Sequence, residues 1–187
     1  MKTIQVSLIF LFAAISLHAQ PREGTNKELS FSGSYQNYSS EGTSSSTSAI
    51  LISDRLGFFV VEGLELEPEI LLMIQSAGDP IYVLNGNVAW NFISKGKGMP
   101  FLLVGYGRAN TIPIFNVPIA HTGFGVNVLN IGGGVKVFLK EDIAMRLEYR
   151  FQKFSGQGAT YNFGYGSFTE EVNVRIHSVQ FGISIML

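Results

Sequence analysis

The residues that could carry out chemistry in this chain are few and widely spaced. Histidine occurs only at His18, His121 and His177, and the chain has no cysteine. A zinc-type site needs several convergent His, Cys or carboxylate ligands at characteristic spacings, and none of these histidines belongs to such a motif. We therefore predict no metal site and no cofactor.

His177 is followed directly by Ser178, so a potential base and a potential nucleophile are adjacent in sequence. A Ser–His pair works only when its side chains come within hydrogen-bonding reach. Successive residues of a strand point to opposite faces, so in a strand these two side chains would be kept apart. We predict no catalytic residues here.

Carboxylates and cations recur at every second position in two segments. Glu67 and Glu69 would share one face of a strand, as would Arg146, Glu148 and Arg150. Paired carboxylates can do acid–base work, and they can equally form ion pairs with neighbouring cations. The glycine run 132–134 lacks the Gly-Lys-Ser/Thr ending of a phosphate loop. Which chemistry applies depends on the elements that hold these residues.

Those elements are two-faced strands. In the last nine residues, Val179, Phe181, Ile183, Ile185 and Leu187 alternate with Gln180, Gly182, Ser184 and Met186. The same alternation places Met145, Leu147, Tyr149 and Phe151 opposite Arg146, Glu148, Arg150 and Gln152. A period of two is the signature of a strand with one apolar face. The pattern predicts eight strands, at about residues 28–38, 48–61, 64–75, 81–93, 100–110, 122–139, 143–154 and from 172 to the end.

The fifth predicted strand has no clear facing, because both of its faces are apolar. The connections after the second, fourth and sixth strands are short, whereas residues 111–121 and 155–171 read as longer loops. Bacterial outer-membrane barrels have short periplasmic turns and longer external loops. With an even strand number, both termini would therefore lie in the periplasm.

Composition points the same way. Charged residues are 14% of the 187-residue chain, below the roughly 25% of a typical soluble protein. The net charge of −1 gives no reason to expect a nucleic-acid partner. Residues 1–19 read as a secretory signal peptide, with Lys2 before an apolar core and a plausible cleavage region. Residues 20–27 are a polar lead-in, and the barrel domain is predicted over 20–187.

No later segment is long enough for a membrane-spanning helix. Inside a bilayer every backbone polar group must be paired, which only helices and closed barrels achieve. We therefore predict an all-β, eight-stranded, antiparallel up-and-down transmembrane β-barrel. Its lumen would be narrow enough to be filled by side chains, so we expect no open pore and no access for a substrate. The predicted structural ion network in this lumen consists of Arg55, Glu67, Glu69, Lys136, Arg146, Glu148 and Arg150.

Three segments carry a resemblance to known proteins. The segments 56–66, 130–138 and 143–151 resemble small outer-membrane β-barrels of the OmpA/OmpX-like kind, and the resemblance covers most of residues 28–187. It implies a monomeric barrel in the outer membrane of a Gram-negative bacterium, surrounded by outer-membrane lipid. The closing alternation resembles the C-terminal signal read by the barrel-assembly machinery, which would be a partner during biogenesis.

The resulting expectation is a non-enzymatic barrel with a structural role, or one that contacts a surface partner through residues 109–121 and 155–171. Two alternatives remain open. One is a membrane-embedded lipid-modifying enzyme of the lipid A deacylase type, which polar residues on the outer face near the rim would favour. The other is a soluble, exported, lipocalin-like barrel, against which the inward Asn, Arg and Glu residues argue, since a lipid-binding cavity should be apolar.

Overall fold

The computed structural model describes residues 26–39, 46–76, 79–92, 96–111, 125–163 and 166–187. These residues form eight strands joined by turns and loops. In chain order the strands are β1 (Lys27–Ser39), β2 (Ser46–Val61), β3 (Leu64–Gln75), β4 (Ile81–Asn91), β5 (Gly98–Ala109), β6 (Val126–Phe138), β7 (Ile143–Phe163) and β8 (Gly166–Met186).

Each strand pairs antiparallel with the next, and β1 pairs antiparallel with β8, so the sheet closes into a barrel. The predicted fold class, an eight-stranded antiparallel up-and-down β-barrel, is confirmed. Among the described residues, no helix is long and apolar enough to cross a membrane.

The strands have a buried inner face and an exposed outer face. In β4 every second residue is buried from Ile81 to Asn91, while Tyr82, Leu84, Val88 and Trp90 are exposed. The structure also settles the facing of β5, which the sequence left open. Phe101 and Leu103 point into the barrel and are buried, whereas Leu102, Val104 and Tyr106 point outward.

The two ends of the barrel are built differently. At one end lie the β2–β3, β4–β5 and β6–β7 connections, together with the start of β1 and the end of β8; we call it the turn end. The tight turn at Glu62-Gly63 needs glycine, because Gly63 has φ of 80° and a Cβ there would lie 2.7 Å from the Asn91 carbonyl oxygen. The opposite end, which carries the other connections, is the loop end.

Predicted strand ends agree with the structure to within a few residues except in one hairpin. The prediction that residues 155–171 form a long loop is wrong, since β7 continues to Phe163 and β8 begins at Gly166. The two strands pair as far as Phe163 and Gly166, with one irregularity between Gln157 and Thr160. Backbone pairing between antiparallel neighbours is open to any residue but proline, so a segment rich in Gly, Ser and Tyr still forms a ladder. The predicted loop 111–121 lies largely outside the described residues, as does His121.

Inside the barrel, side chains are arranged in layers. Toward the loop end the described interior is apolar; this apolar layer comprises Ala49, Leu51, Leu71, Met73, Ile81, Val83, Ala109, Val126, Val128, Phe154 and Ile176. Charged and amide side chains fill the next part of the barrel. At the turn end Met99, Phe138, Ala144 and Met186 form a second apolar cluster, against which Phe59 packs.

Candidate functional site

The charged layer of the lumen contains all seven residues that the sequence analysis selected for the ion network. Arg55 comes from β2, Glu67 and Glu69 from β3, and Lys136 from β6; β7 contributes the other three, Arg146, Glu148 and Arg150. All seven are at most 3% exposed. Their inward orientation follows from strand alternation, and closure of the barrel brings strands that are distant in sequence face to face.

Glu69 is the hub of this layer on the side of the loop end. Its carboxylate accepts a hydrogen bond from Arg55 Nε at 2.8 Å and another from Arg150 Nη1 at 2.7 Å. The Asn85 and Asn87 amides donate to the same carboxylate at 2.9 and 3.0 Å, and the Ser53 hydroxyl donates as well. With so many donors around it, the buried carboxylate is well compensated for its loss of water.

Glu148 joins the three arginines into one network. Its oxygens accept from Arg55 Nη1 at 3.0 Å, from Arg146 Nε at 3.0 Å and from Arg150 Nε at 2.6 Å. Arg146 in turn donates to both oxygens of Glu67, at 2.7 and 3.1 Å. This two-point geometry is typical of strong Arg–carboxylate pairs.

Two further carboxylates, Glu28 and Glu65, belong to the same layer and were absent from the predicted set. Lys136 Nζ donates to Glu65 at 2.8 Å and also to Glu28, and Arg146 lies 3.5 Å from Glu28. With them the layer holds four cations and five carboxylates, all buried. Both could have been found from strand parity, because Glu65 continues the inward series of Glu67 and Glu69, and Glu28 is in phase with Ser30 and Ser32 on the polar face of the first strand.

Aromatic rings close the charged layer toward the turn end. The Phe101 ring lies 4.3 Å from the Arg146 guanidinium carbon and 5.6 Å from Lys136 Nζ, within cation–π range. The glycine run of β6 makes room for it, since a Cβ on Gly134 would lie 2.9 Å from the Phe101 ring. The run therefore acts in packing, as expected for glycines within a strand.

The carboxylates of Glu28, Glu65 and Glu67 have oxygens within 4.8 Å of one another, a spacing that could suit a metal ion. Two protein cations already pair with these oxygens. Lys136 donates to Glu28 and Glu65, and Arg146 donates to Glu67. An ion-pair network accounts for the cluster, and the absence of metal from this chain stays a prediction.

The lumen is filled at this level. A side chain lining a water-filled channel would be exposed to the channel water, yet Lys136, Arg150 and Gln152 are 0% exposed. The apolar layer is equally dry, with Leu71 and Phe154 also at 0%. Within the described part of the barrel, no aqueous path follows its axis past these residues.

His177 and Ser178 lie on opposite faces of β8. His177 is exposed on the outside, where its Nδ1 lies 2.6 Å from the Tyr149 hydroxyl. Ser178 is buried inside and accepts a hydrogen bond from Gln180 at 3.3 Å. These two side chains therefore do not form a nucleophile–base pair.

The β1–β8 seam is closed over only part of its length. The two strands pair from Glu28 and Met186 to Gly33 and Phe181, and no further. Beyond that point the Gln36 side chain donates to the His177 carbonyl at 3.1 Å. A cleft of about 780 Å³ opens there, lined by residues 33–36, 50–52, 177–179 and 181. Outward and inward residues both line it, so the cleft enters the wall of the barrel from its outer surface.

Comparison with known proteins supports the architecture. No protein-family model matches this chain, and no curated protein matches it. Among solved structures it is similar to Neisserial surface protein A, with a TM-score of 0.59 and 13% sequence identity over 86% of this chain and 96% of that one. At this identity the similarity establishes the fold alone, a small closed β-barrel. It does not single out the OmpA/OmpX-like kind.

Proposed function

We propose that this chain is an integral outer-membrane β-barrel protein with a side-chain-filled lumen and a non-enzymatic role, either structural or in contact with a surface partner. One observation carries the proposal: the outer face of the barrel is largely apolar, whereas the middle of its interior is ionic. The exposed outer face carries large side chains such as Phe31, Leu84, Leu102, Ile131 and Phe181. The buried layer behind it contains Arg55, Arg146 and Arg150.

This distribution is unfavourable for a protein surrounded by water. A soluble barrel would place its apolar side chains inside, whereas exposed apolar patches of such extent mark contact with a membrane or another protein. In a bilayer the same surface faces acyl chains, and closure of the sheet pairs the backbone groups. The physics therefore favours a membrane over the soluble, lipocalin-like alternative, and the similarity to an outer-membrane barrel supports the same choice.

Aromatic side chains support a defined position in the membrane. Trp90 and Phe92 lie outward near the turn end, and Tyr82 and Tyr106 lie outward near the loop end. Such residues concentrate at the two membrane–water interfaces of barrels. In the proposed orientation the turn end, with the first and last strand ends, faces the periplasm, and the loop end faces outward. The barrel would be a monomer, inserted by the barrel-assembly machinery.

A role at the surface is the natural one for a barrel whose lumen is filled. The β7–β8 hairpin reaches well past the other strands in sequence, since each of its strands has 21 residues, against 11 to 16 in the others. This hairpin and the segment between β5 and β6 are the candidates for contact with a surface partner. Its length makes the hairpin the part to delete when such a partner is sought.

Fractionation and heat-modifiability test the proposal. The full chain is expressed in a Gram-negative host, membranes are separated by density, and the outer-membrane fraction is run on a gel with and without boiling. We expect the protein in that fraction, with a boiling-dependent change in mobility caused by the stable closed sheet. A protein recovered free in the periplasm would contradict the proposal. The outward polar residues near the loop end, such as Arg108 and Arg175, favour the lipid-modifying alternative. Hydrolysis of acyl chains from the surrounding lipid by the purified protein would establish it.

A further inference from the structure

The outer face of the barrel carries a one-sided set of cations near the loop end. On β5, β6, β7 and β8, the outward-facing apolar residues give way to polar or charged residues toward the loop end. These residues are Arg108 on β5, Asn127 on β6, Lys153 on β7, and His177 followed by Arg175 on β8. On β2, β3 and β4 the corresponding positions are Ser48, Ser76 and Pro80. We call Arg108, Lys153 and Arg175 the cationic rim.

Lys153 and Arg175 stand directly opposite each other on neighbouring strands. Side chains at such positions are about 5 Å apart at Cβ, and like charges there destabilise the sheet. Arg108 lies diagonally beyond, where β5 and β6 pair at Arg108 and Asn127. Lys153 and Arg175 therefore lie side by side although their positive charges repel each other.

No acidic side chain in the described part of the chain compensates this charge. Among the described residues, the rim cations form no ion pair, whereas the cations in the lumen are all paired with carboxylates. The neighbouring polar groups satisfy one another instead, with Tyr106 donating to Asn127 and Ser155 donating to Asn173.

The position of the cationic rim indicates which kind of anion would bind to it. Arg108 comes two residues after Tyr106, and Lys153 comes four residues after Tyr149, so the cations lie just beyond the outward aromatic residues. At that level a membrane presents lipid headgroups, and long basic side chains extend to reach them. Arginine binds phosphate through two parallel hydrogen bonds, and lysine adds a point charge.

We propose that Lys153 and Arg175, flanked by Arg108, bind the phosphate headgroup of an anionic membrane lipid. This inference rests on the outer-membrane location proposed above. An acyl chain of the same lipid has an apolar surface below the phosphate, because Val179 and Phe181 continue the outward face of β8 and line the cleft at the β1–β8 seam. One lipid thereby contacts both a charged and an apolar part of the same wall.

The test uses the full chain reconstituted in vesicles of phosphatidylcholine with and without phosphatidic acid. The protein is extracted in neutral detergent, and the ratio of the two lipids retained is compared with the ratio in the vesicle. For the wild type we expect enrichment of phosphatidic acid. The variant Lys153→Gln/Arg175→Gln should lose roughly 30-fold in affinity, the effect of two surface cations, so that its retained ratio falls to the vesicle ratio.

A matched control is Lys97→Gln/Lys140→Gln, which removes the same charge from exposed positions at the turn end. It should retain the enrichment. In pure phosphatidylcholine the rim variant should unfold at a temperature no lower than the wild type, because two opposing like charges have been removed. That measurement shows that the variant folds, and a second variant, Arg175→Gln alone, should lose part of the enrichment.

Three outcomes would overturn the inference. The wild type retains no excess of phosphatidic acid, the rim variant retains as much as the wild type, or the control loses as much as the rim variant. Displacement of the lipid by millimolar inorganic phosphate would also contradict it, by assigning the site to free phosphate. A chain that does not enter the vesicles would fail at the first step, and that failure belongs to the proposed membrane location.

Discussion

The interior of this barrel is filled by ion pairs in the charged layer and by apolar side chains in the apolar layer. Strand β3 contributes residues to both layers. Its inward residues are Glu65, Glu67 and Glu69 toward the turn end, then Leu71 and Met73 toward the loop end. All are buried to a similar degree. Apolar packing is non-directional and tolerates substitution of similar volume. A buried charge needs every one of its partners, so the charged layer should respond much more sharply to the loss of one group.

The largest expected effect is that of Glu69→Leu, which removes the carboxylate shared by Arg55 and Arg150. Leaving buried charges uncompensated costs about 3–5 kcal/mol. The free energy of unfolding, measured by urea titration of the protein folded in vesicles, should fall by this amount. Glu62→Leu makes the same change at an exposed turn position and should be nearly neutral. Equal effects at the two positions would mean that Glu69 has no special partners.

A second substitution tests the apolar region two residues further along the strand. Leu71→Ala should cost about 3 kcal/mol, because it leaves a cavity that the barrel wall cannot fill. The neighbouring Leu72 lies on the outer face, where lipid can occupy the space left by a shortened side chain. Leu72→Ala should therefore cost clearly less in the same urea titration. A reversed order would show that the two faces of β3 had been exchanged.

A third substitution tests the outer face that the two regions share. Leu147 lies between Met145 and Tyr149 in the outward series of β7. Leu147→Arg should destabilise the membrane-inserted barrel by about 2–4 kcal/mol if this residue is near the bilayer midplane. Folding yield and unfolding in vesicles measure the effect. An unchanged protein would argue that this face does not meet acyl chains.

The smallest expected effect concerns closure of the sheet, which also differs between the two regions. Near the turn end the seam is held by backbone pairing, whereas near the loop end Gln36 donates to the His177 carbonyl across the gap. Gln36→Ala should cost about 1 kcal/mol, the usual net value of one hydrogen bond. Amide hydrogen exchange should increase in residues 34–36 and remain unchanged in β3. Uniform exchange along β1 would exclude a locally weaker seam.

Much of the fold could be predicted because strand alternation needs no information from outside the strand. Met145 to Gln152 display their two faces directly, and short turns such as Glu62-Gly63 separate the hairpins. Facing was unpredictable in β5, since Phe101 and Leu102 are equally apolar. The long β7–β8 hairpin was missed because its composition is that of a loop, while its pairing depends on the neighbouring strand.

Most members of the site could be predicted from the sequence, although Glu28 and Glu65 were missed, and the contacts between the members could not. Strand parity is enough to place Arg55, Glu69 and Glu148 inside the barrel. The contact between Arg55 and Glu148 joins residues 93 positions apart and exists only because the sheet closes. The apolar layer was also missed, although Leu71 and Met73 are in phase with the inward glutamates. Their type suited either face, so only the three-dimensional structure distinguishes a mixed interior from a uniformly polar one.

The short β1–β8 ladder has a consequence for how such a protein comes apart and how it is made. Six residue pairs join these strands, whereas β1 and β2 are joined by thirteen. Under force or denaturant the sheet should therefore separate first between its earliest and latest strands, while the other hairpins stay intact. During synthesis β1 is made first and β8 last, so the pairing of these two strands is the natural last step of assembly.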